Sequence, residues 1–301
     1  MKKVLAVSGP TASGKSGVAM MLCQKTGFEI VSCDSMQIYK GMDIGTAKPT
    51  KEDMARVRHH MIDVADPSRN FSCAEYVSMA LVCIENIHSR GNVPVICGGT
   101  GMYFERLVMT DPILSPTGDE KIREELSHNT SEYNHALLER VDPEAARAIH
   151  MNNRKRVIRA LEIYLSSGKT KTEWDKMTQQ TEPRYDLSHI TLVSADREYL
   201  YDRIDKRVDI MMAEGLENEV RRLCLDPSTT AGQAIGYKEM NEYISGDITL
   251  DEAVSRIKQG SRNYAKRQLT WFRRYKDAHF LDIEGGENYE NIVNFIISLV
   301  E

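Results

Sequence analysis

Eight consecutive residues, Gly9-Pro10-Thr11-Ala12-Ser13-Gly14-Lys15-Ser16, fit the pattern G-x-x-x-x-G-K-[ST] in full. Chemistry follows from that spacing. The glycines let backbone amides converge on phosphate oxygens, a helix N-terminus adds positive potential, and Lys15 adds a point charge. The Ser16 hydroxyl is placed to hold Mg²⁺. A phosphate site is therefore expected at this loop, although the loop alone does not say which phosphate. No N-K-x-D guanine motif occurs, and the strand expected at Val93 to Cys97 ends in Gly98-Gly99-Thr100-Gly101 where an ATPase usually carries an acid.

The acid that ends a core strand beside the loop is Asp34, in Cys33-Asp34-Ser35-Met36-Gln37. Three roles are open to it: orienting Mg²⁺ through water, general base, or capping a turn. The Gln37 amide has the donor and acceptor needed to read adenine in a bidentate manner. Arg203 and Arg207 stand one helical turn apart and can stabilise a departing anionic group, with ion pairing to Asp202 or Asp205 as the competing role. Two basic stripes need a polyanion or solvent to face. One is Lys155, Arg156 and Arg159, with Val157, Ile158 and Leu161 packing behind them; the other runs from Arg256 to Lys276, with eight basic residues and no acidic one. On a chain of net charge −5, the second stripe points to a local positive surface. His59-His60 cannot share an ion, since neighbours on an extended segment face opposite ways. The six scattered cysteines lack metal spacing.

The elements that must position these residues read as a strand from Lys3 to Ser8, the loop, and a helix from Lys15 to Lys25 closed by Gly27. A strand from Glu29 to Cys33, a helix from Ser72 to Arg90 with a Ser72/Glu75 capping box, and a strand from Val93 to Cys97 follow. This alternation predicts an α/β fold with a doubly wound parallel sheet around the P-loop. From Asp111 to Gly168 the pattern turns helical and acidic with no convincing strand. The expected organisation is a core of residues 1–112 and 189–301 with a mostly helical inserted lobe, 113–188. Strand character returns from His189 to Ser194, then three or four helices, a short run from His279 to Leu281 and a helix from Tyr289. With 41% hydrophobic and 28% charged residues, the composition is that of a folded chain. No apolar run reaches the ~20 residues of a membrane span, and Gly9-Pro10 ends the first one too early for a signal peptide. A cytoplasmic protein without membrane partners is expected.

Seven blocks resemble the tRNA dimethylallyltransferase family: GPTASGKS at Gly9, DSMQIYKGMDIGTAKP from Asp34 to Pro49, HHMIDVADP from His59, GGTGMY from Gly98, RALEIY from Arg159, QAIGYKE from Gln233 and AKRQLTWFR from Ala265. They stand in family order over most of the chain outside Val108 to Asn153. The resemblance implies transfer of a dimethylallyl group from dimethylallyl diphosphate to the exocyclic amine of the adenosine 3′-adjacent to a tRNA anticodon, with Mg²⁺. The P-loop then binds a prenyl diphosphate, Asp34 is the base, and Thr100 lies in the reaction channel. It also implies RNA contacts at Asp34, Ser35, Met36, Gln37, Thr100 and Arg123. Further RNA contacts are implied at Lys155, Arg156, Val157, Ile158 and Arg159, and at Gln233, Gly236, Tyr237 and Lys238. The expected partners are the tRNA anticodon stem-loop and dimethylallyl diphosphate, with the chain as a monomer. No C-x₂-C or H-x₃₋₅-H follows Lys276, so the chain resembles the bacterial type, without a zinc finger. The competing readings are a P-loop small-molecule kinase and a non-catalytic RNA-binding module.

Overall fold

The computed structural model describes residues 1–109, 118–178, 184–283 and 289–300. It divides into two compact units, Met1–Val108 with Tyr185–Glu301, and Met109–Arg184.

The first unit is built on six strands, β1 (Lys3–Ser8), β2 (Glu29–Ser32), β3 (His59–His60), β4 (Pro94–Gly98), β5 (Asp186–Val193) and β6 (His279–Asp282). They form one sheet in the order β3-β2-β4-β1-β5-β6, parallel throughout. Residues 4–7 of β1 are fully buried on both faces, as a strand covered by helices on each side requires. Leu5 and Val7 join Val18 and Leu22 of the helix Lys15–Thr26 and Val293 and Ile296 of the helix Tyr289–Ser298 in one cluster with Val95, Ile190 and Leu192. That packing holds the glycine loop at the carboxyl end of the central strand, where the sheet order reverses and open α/β folds bind ligands.

The expected strands are found within one or two residues, except that β5 begins at Asp186 rather than His189. Asp186, Leu187 and Ser188 already pair with Lys3, Val4 and Leu5, and the polar Asp186 and Ser188 hid this start. The second unit accordingly ends at Arg184, against the expected 188; the expected start at 113 lies outside the described residues. The helix Cys73–Ser89 carries the expected capping box, with reciprocal Ser72 and Glu75 bonds.

Among the described residues, elements not expected include the two-residue strand β3, a short helix, Lys51–Arg56, opened by a Thr50/Asp53 capping box, and a π-helical stretch, Glu105–Met109, after the helix Gly101–Phe104.

The second unit is helical: Glu120–His128, Ser131–Val141, Pro143–Ala148, Arg154–Ser167 and Lys171–Thr178. Leu126, Leu138, Ala146, Val157 and Leu161 form its own core, and Asp119, Thr130 and Asp142 cap three of its helices.

Candidate active site

The glycine loop leaves β1 and enters its helix through Gly14, whose φ of 82° is the left-handed conformation that glycine adopts without penalty. Ala12 takes a φ of 63°, which costs a non-glycine residue about 1 kcal/mol, so packing must hold the loop in shape. Two remote side chains do so. Gln268 accepts a hydrogen bond from the Thr11 amide at 2.8 Å and donates to the Gly99 carbonyl at 3.0 Å, tying the loop to the end of β4. Arg203 donates to the Ala12 carbonyl at 2.8 Å and to the hydroxyls of Tyr199 and Tyr289 at 3.2 and 3.3 Å. Lys15 donates to the Pro10 carbonyl at 3.1 Å. Burial, then the neighbouring Arg207, holds the Lys15 ammonium below its ordinary pKa, which an anionic ligand would reverse. The Ser13 hydroxyl is buried without a hydrogen-bond partner among the described residues, a donor waiting inside the loop.

Asp34 follows β2. Its Oδ1 accepts from the amides of Met36 and Gln37 at 2.8 and 3.3 Å, so the turn-capping role is real. Oδ2 has no partner among the described residues, which leaves one oxygen for chemistry. Thr100 Oγ1 accepts from the Ser35 amide at 3.0 Å. Thr100 does not line the cavity described below, but it fixes Ser35, which does. Gln37 is committed at both ends: Oε1 accepts from the Ser32 hydroxyl at 3.1 Å, and Nε2 donates to the Thr46 and Ala47 carbonyls at 3.3 and 3.2 Å. Reading adenine with this amide requires breaking those bonds.

A cavity of about 560 Å³ joins these pieces. Lys15, Ser16, Asp34, Gln37, Arg207 and Tyr264 are on its wall. Arg207 and Lys15 also border a second recess of about 280 Å³ with Ala12, Gly14, Arg203 and Lys206. Arg207 thus reaches the shared wall, while Arg203 is tied to the loop backbone. Asp205, one of the two acids that compete for these arginines in the sequence, pairs instead with Arg262 at 2.6 Å. Sequence reasoning left Gln268 and Tyr264 without a role. Gln268 is 5% exposed inside a basic run, and its partners Thr11 and Gly99 lie too far along the chain for the sequence to signal them. The two histidines diverge as expected: His60 meets Glu29 at 2.7 Å, while His59 bonds the Val57 carbonyl and borders the cavity.

Of the expected RNA contacts, Asp34, Ser35, Met36, Gln37, Gln233 and Tyr237 meet at this cavity. Gln233 and Lys238 are exposed, whereas Gly236 is buried. Tyr237 is 0% exposed, with its hydroxyl 2.5 Å from Glu219, and its side chain also lines the cavity.

The other set lies on the helical unit. Lys155 and Arg156 are exposed, Ile158 is half-buried, and Val157 is in the core. Arg123 and Arg159 both grip the fully buried Glu162, at 2.7 and 2.6 Å.

The segment from Arg256 to Lys276 is less positive than its composition suggests. Arg256 pairs with Glu242 and Glu252, Lys258 with Asp209, Arg262 with Asp205, and Arg274 with Glu105. Acids from the same helix, from other helices and from the π-helical stretch neutralise half of it.

Residues 37–275 match the family model described as IPP transferase. The chain is 43% identical to the tRNA dimethylallyltransferase of Halalkalibacterium halodurans, over 100% of this chain and 98% of that protein. It is 42% identical to the protein of the same name from Acetivibrio thermocellus, over 97% and 96%. The solved tRNA isopentenylpyrophosphate transferase of Bacillus halodurans superposes with a TM-score of 0.73 at 41% identity, covering 99% of this chain and 96% of that one. A eukaryotic dimethylallyltransferase acting on tRNA superposes with a TM-score of 0.83 at 29% identity, covering 99% and 80%.

Proposed function

The chain belongs to the IPP transferase family, and from that premise we propose that it transfers a dimethylallyl group from dimethylallyl diphosphate to N6 of the adenosine 3′-adjacent to a tRNA anticodon, releasing diphosphate. One observation carries the reading: a single cavity has the cations of Lys15 and Arg207 and the carboxylate of Asp34 on one wall. A transferase with a multiply negative diphosphate leaving group and a weakly basic amine nucleophile needs both.

The adenine amine is a poor nucleophile, because its lone pair is delocalised into the ring, so the electrophile must be activated. As the bond between the allylic carbon and the diphosphate oxygen breaks, its electron pair leaves with the diphosphate. Lys15, the loop amides and Arg207 stabilise that charge. The new bond forms between N6 and the allylic carbon, and the N6 proton passes to Asp34, whose unpartnered Oδ2 is the acceptor. The target base must leave its stack to reach the cavity, where Ser35, Met36 and Gln37 form part of the wall. Mg²⁺ takes few protein ligands and fills its shell with water and phosphate oxygens. The hard oxygen of Ser16 suits it, and bound there it would neutralise diphosphate charge. A kinase reading gains nothing from the comparisons.

Incubation with labelled dimethylallyl diphosphate and unmodified tRNA, beside ATP with a nucleoside mixture, tests the proposal. Label is expected in RNA, with no phosphate transfer in the ATP arm; phosphate transfer without labelled RNA would reject it.

A further inference from the structure

The segment Asp34–Pro49 walls the cavity yet contains no regular strand or helix; apart from one isolated bridge, Tyr39 with Ala65, no ladder holds it. What replaces a ladder is a buried charge from far along the chain. Glu219 lies in the helix Leu216–Leu223 and is 3% exposed. Its carboxylate accepts from three consecutive backbone amides, those of Asp43, Ile44 and Gly45, at 3.0, 2.9 and 3.1 Å. Successive amides that converge in this way form an anion nest, and here the anion is supplied by the protein itself. The fourth donor is the Tyr237 hydroxyl at 2.5 Å. Burial, reinforced by Glu219, pushes that phenol far above its ordinary pKa, so it remains a donor. The Tyr237 ring lies so close to Gly45 that a Cβ there would come within 2.5 Å of it. A buried carboxylate with four donors is satisfied; with fewer it would be costly.

The consequence reaches the cavity through the next two residues. Thr46 and Ala47 supply the carbonyls that orient the Gln37 amide, and Gln37 follows Asp34 by three residues in a turn capped by Asp34 itself. Lys48 adds a lock, donating to the Tyr39 carbonyl and to the carboxylates of Asp43 and Asp63.

Resting on the transfer reading proposed above, we infer that Glu219, propped by Tyr237, is a positioning residue for the nucleophile side of the reaction. It holds residues 43–47 and, through them, the turn that carries Asp34 to Gln37 on the cavity wall, and it has no part in holding the diphosphate. The family resemblance implies an RNA contact at Tyr237, which lines the cavity while its hydroxyl supports Glu219.

The test uses the full chain with Glu219→Gln and Tyr237→Phe. Glu219→Gln keeps the side-chain size but turns an NH₂ toward backbone N–H groups. Amides 43–45 are expected to exchange hydrogen faster, and dimethylallyl diphosphate to bind within about twofold of wild type. The kcat/KM for an anticodon stem-loop RNA should fall roughly 10- to 100-fold, the range set by losing hydrogen bonds to a buried charge. Tyr237→Phe removes one of the four donors and gives a smaller fall in the same parameter. The inference is overturned if RNA kcat/KM stays within about threefold while amides 43–45 lose protection. It is also overturned if diphosphate binding and RNA transfer fall in parallel, the mark of a general folding role. Should Glu219→Gln fail to fold, Tyr237→Phe decides by the same two readings. A wild-type chain that transfers nothing overturns the functional reading and this inference with it; an active wild type beside an equally active variant overturns this inference alone.

Discussion

Asp34 divides its work between two oxygens, and that division makes its role testable at a single atom. Oδ1 caps the turn that presents Ser35 to Gln37, while Oδ2 is left for a proton. Asp34→Asn keeps the Oδ1 acceptor and removes the basicity. Turnover should fall by ~10² to 10⁴-fold with little change in the affinity for either substrate. Turnover within a few-fold, together with a shifted Mg²⁺ dependence, would make Asp34 a metal-shell residue instead. The two arginines separate in the same way. Arg207 borders both recesses and Arg203 bonds the Ala12 carbonyl, so Arg207→Gln should cost ~10²-fold in kcat. Arg203→Gln should instead act mainly on diphosphate affinity, through a loosened loop. Single-turnover kinetics on both variants checks this, and equal kcat losses would refute the division.

At the scale of elements, what could be read from the sequence was whatever depends on near neighbours. The strands were visible because each is a short apolar run between turn residues, and the glycine loop because its spacing is its chemistry. The segment Asp34–Pro49 could be recognised as a motif but not folded, because Glu219, some 175 residues later, sets its shape. Gln268, which clamps the loop from 257 residues away, was hidden for the same reason. Charge counting failed at Arg256 to Lys276 because Asp205, Asp209 and Glu105 approach through space. The helix Arg154–Ser167 carries the same lesson. Arg159 grips buried Glu162, so replacing it should destabilise the helical unit. Lys155→Gln with Arg156→Gln, both exposed, should weaken tRNA and flatten its salt dependence by up to about 2 in slope. Filter binding across a salt series reads this, and an unchanged slope would leave that helix without RNA contacts.

Between β1 and β5, His189 bonds the hydroxyls of Ser8 and Thr191 beside Phe104, Phe272 and Tyr275. Burial, then His279, lowers its pKa to about 4. The unfolded chain takes up this proton below about pH 6.5 and the folded chain does not, so stability falls as pH drops from 6.5 to 4. The loss approaches about 3 kcal/mol, judged from that shift. His189→Gln should be less stable at neutral pH but show a shallower decline in urea midpoint over this window; an equal decline would place the acid sensitivity elsewhere.

For the molecule as a whole, the account assigns the two substrates to different parts of one chain. The unit with the sheet carries a cavity of about 560 Å³, suited to a prenyl diphosphate and one base, and far too small for an RNA. The helical unit, Met109–Arg184, has its own core and two exposed cations on one helix, so it is free to serve the rest of the RNA. Net charge is −5 and half of the main basic run is internally paired, so on the proposed function RNA recognition is expected to use a few exposed cations and the cavity and not a broad positive field. No helix among the described residues is long and apolar enough to cross a membrane. The central claim is that the cavity joins a prenyl carbon to one flipped adenosine. Its most direct test is nucleoside-resolved mass spectrometry of tRNA incubated with the protein, dimethylallyl diphosphate and Mg²⁺, beside the same tRNA with guanosine at the position 3′ of the anticodon. The account predicts a dimethylallyl group on N6 of that adenosine and none in the guanosine tRNA. Prenylation elsewhere, or equal labelling of both RNAs, would contradict it.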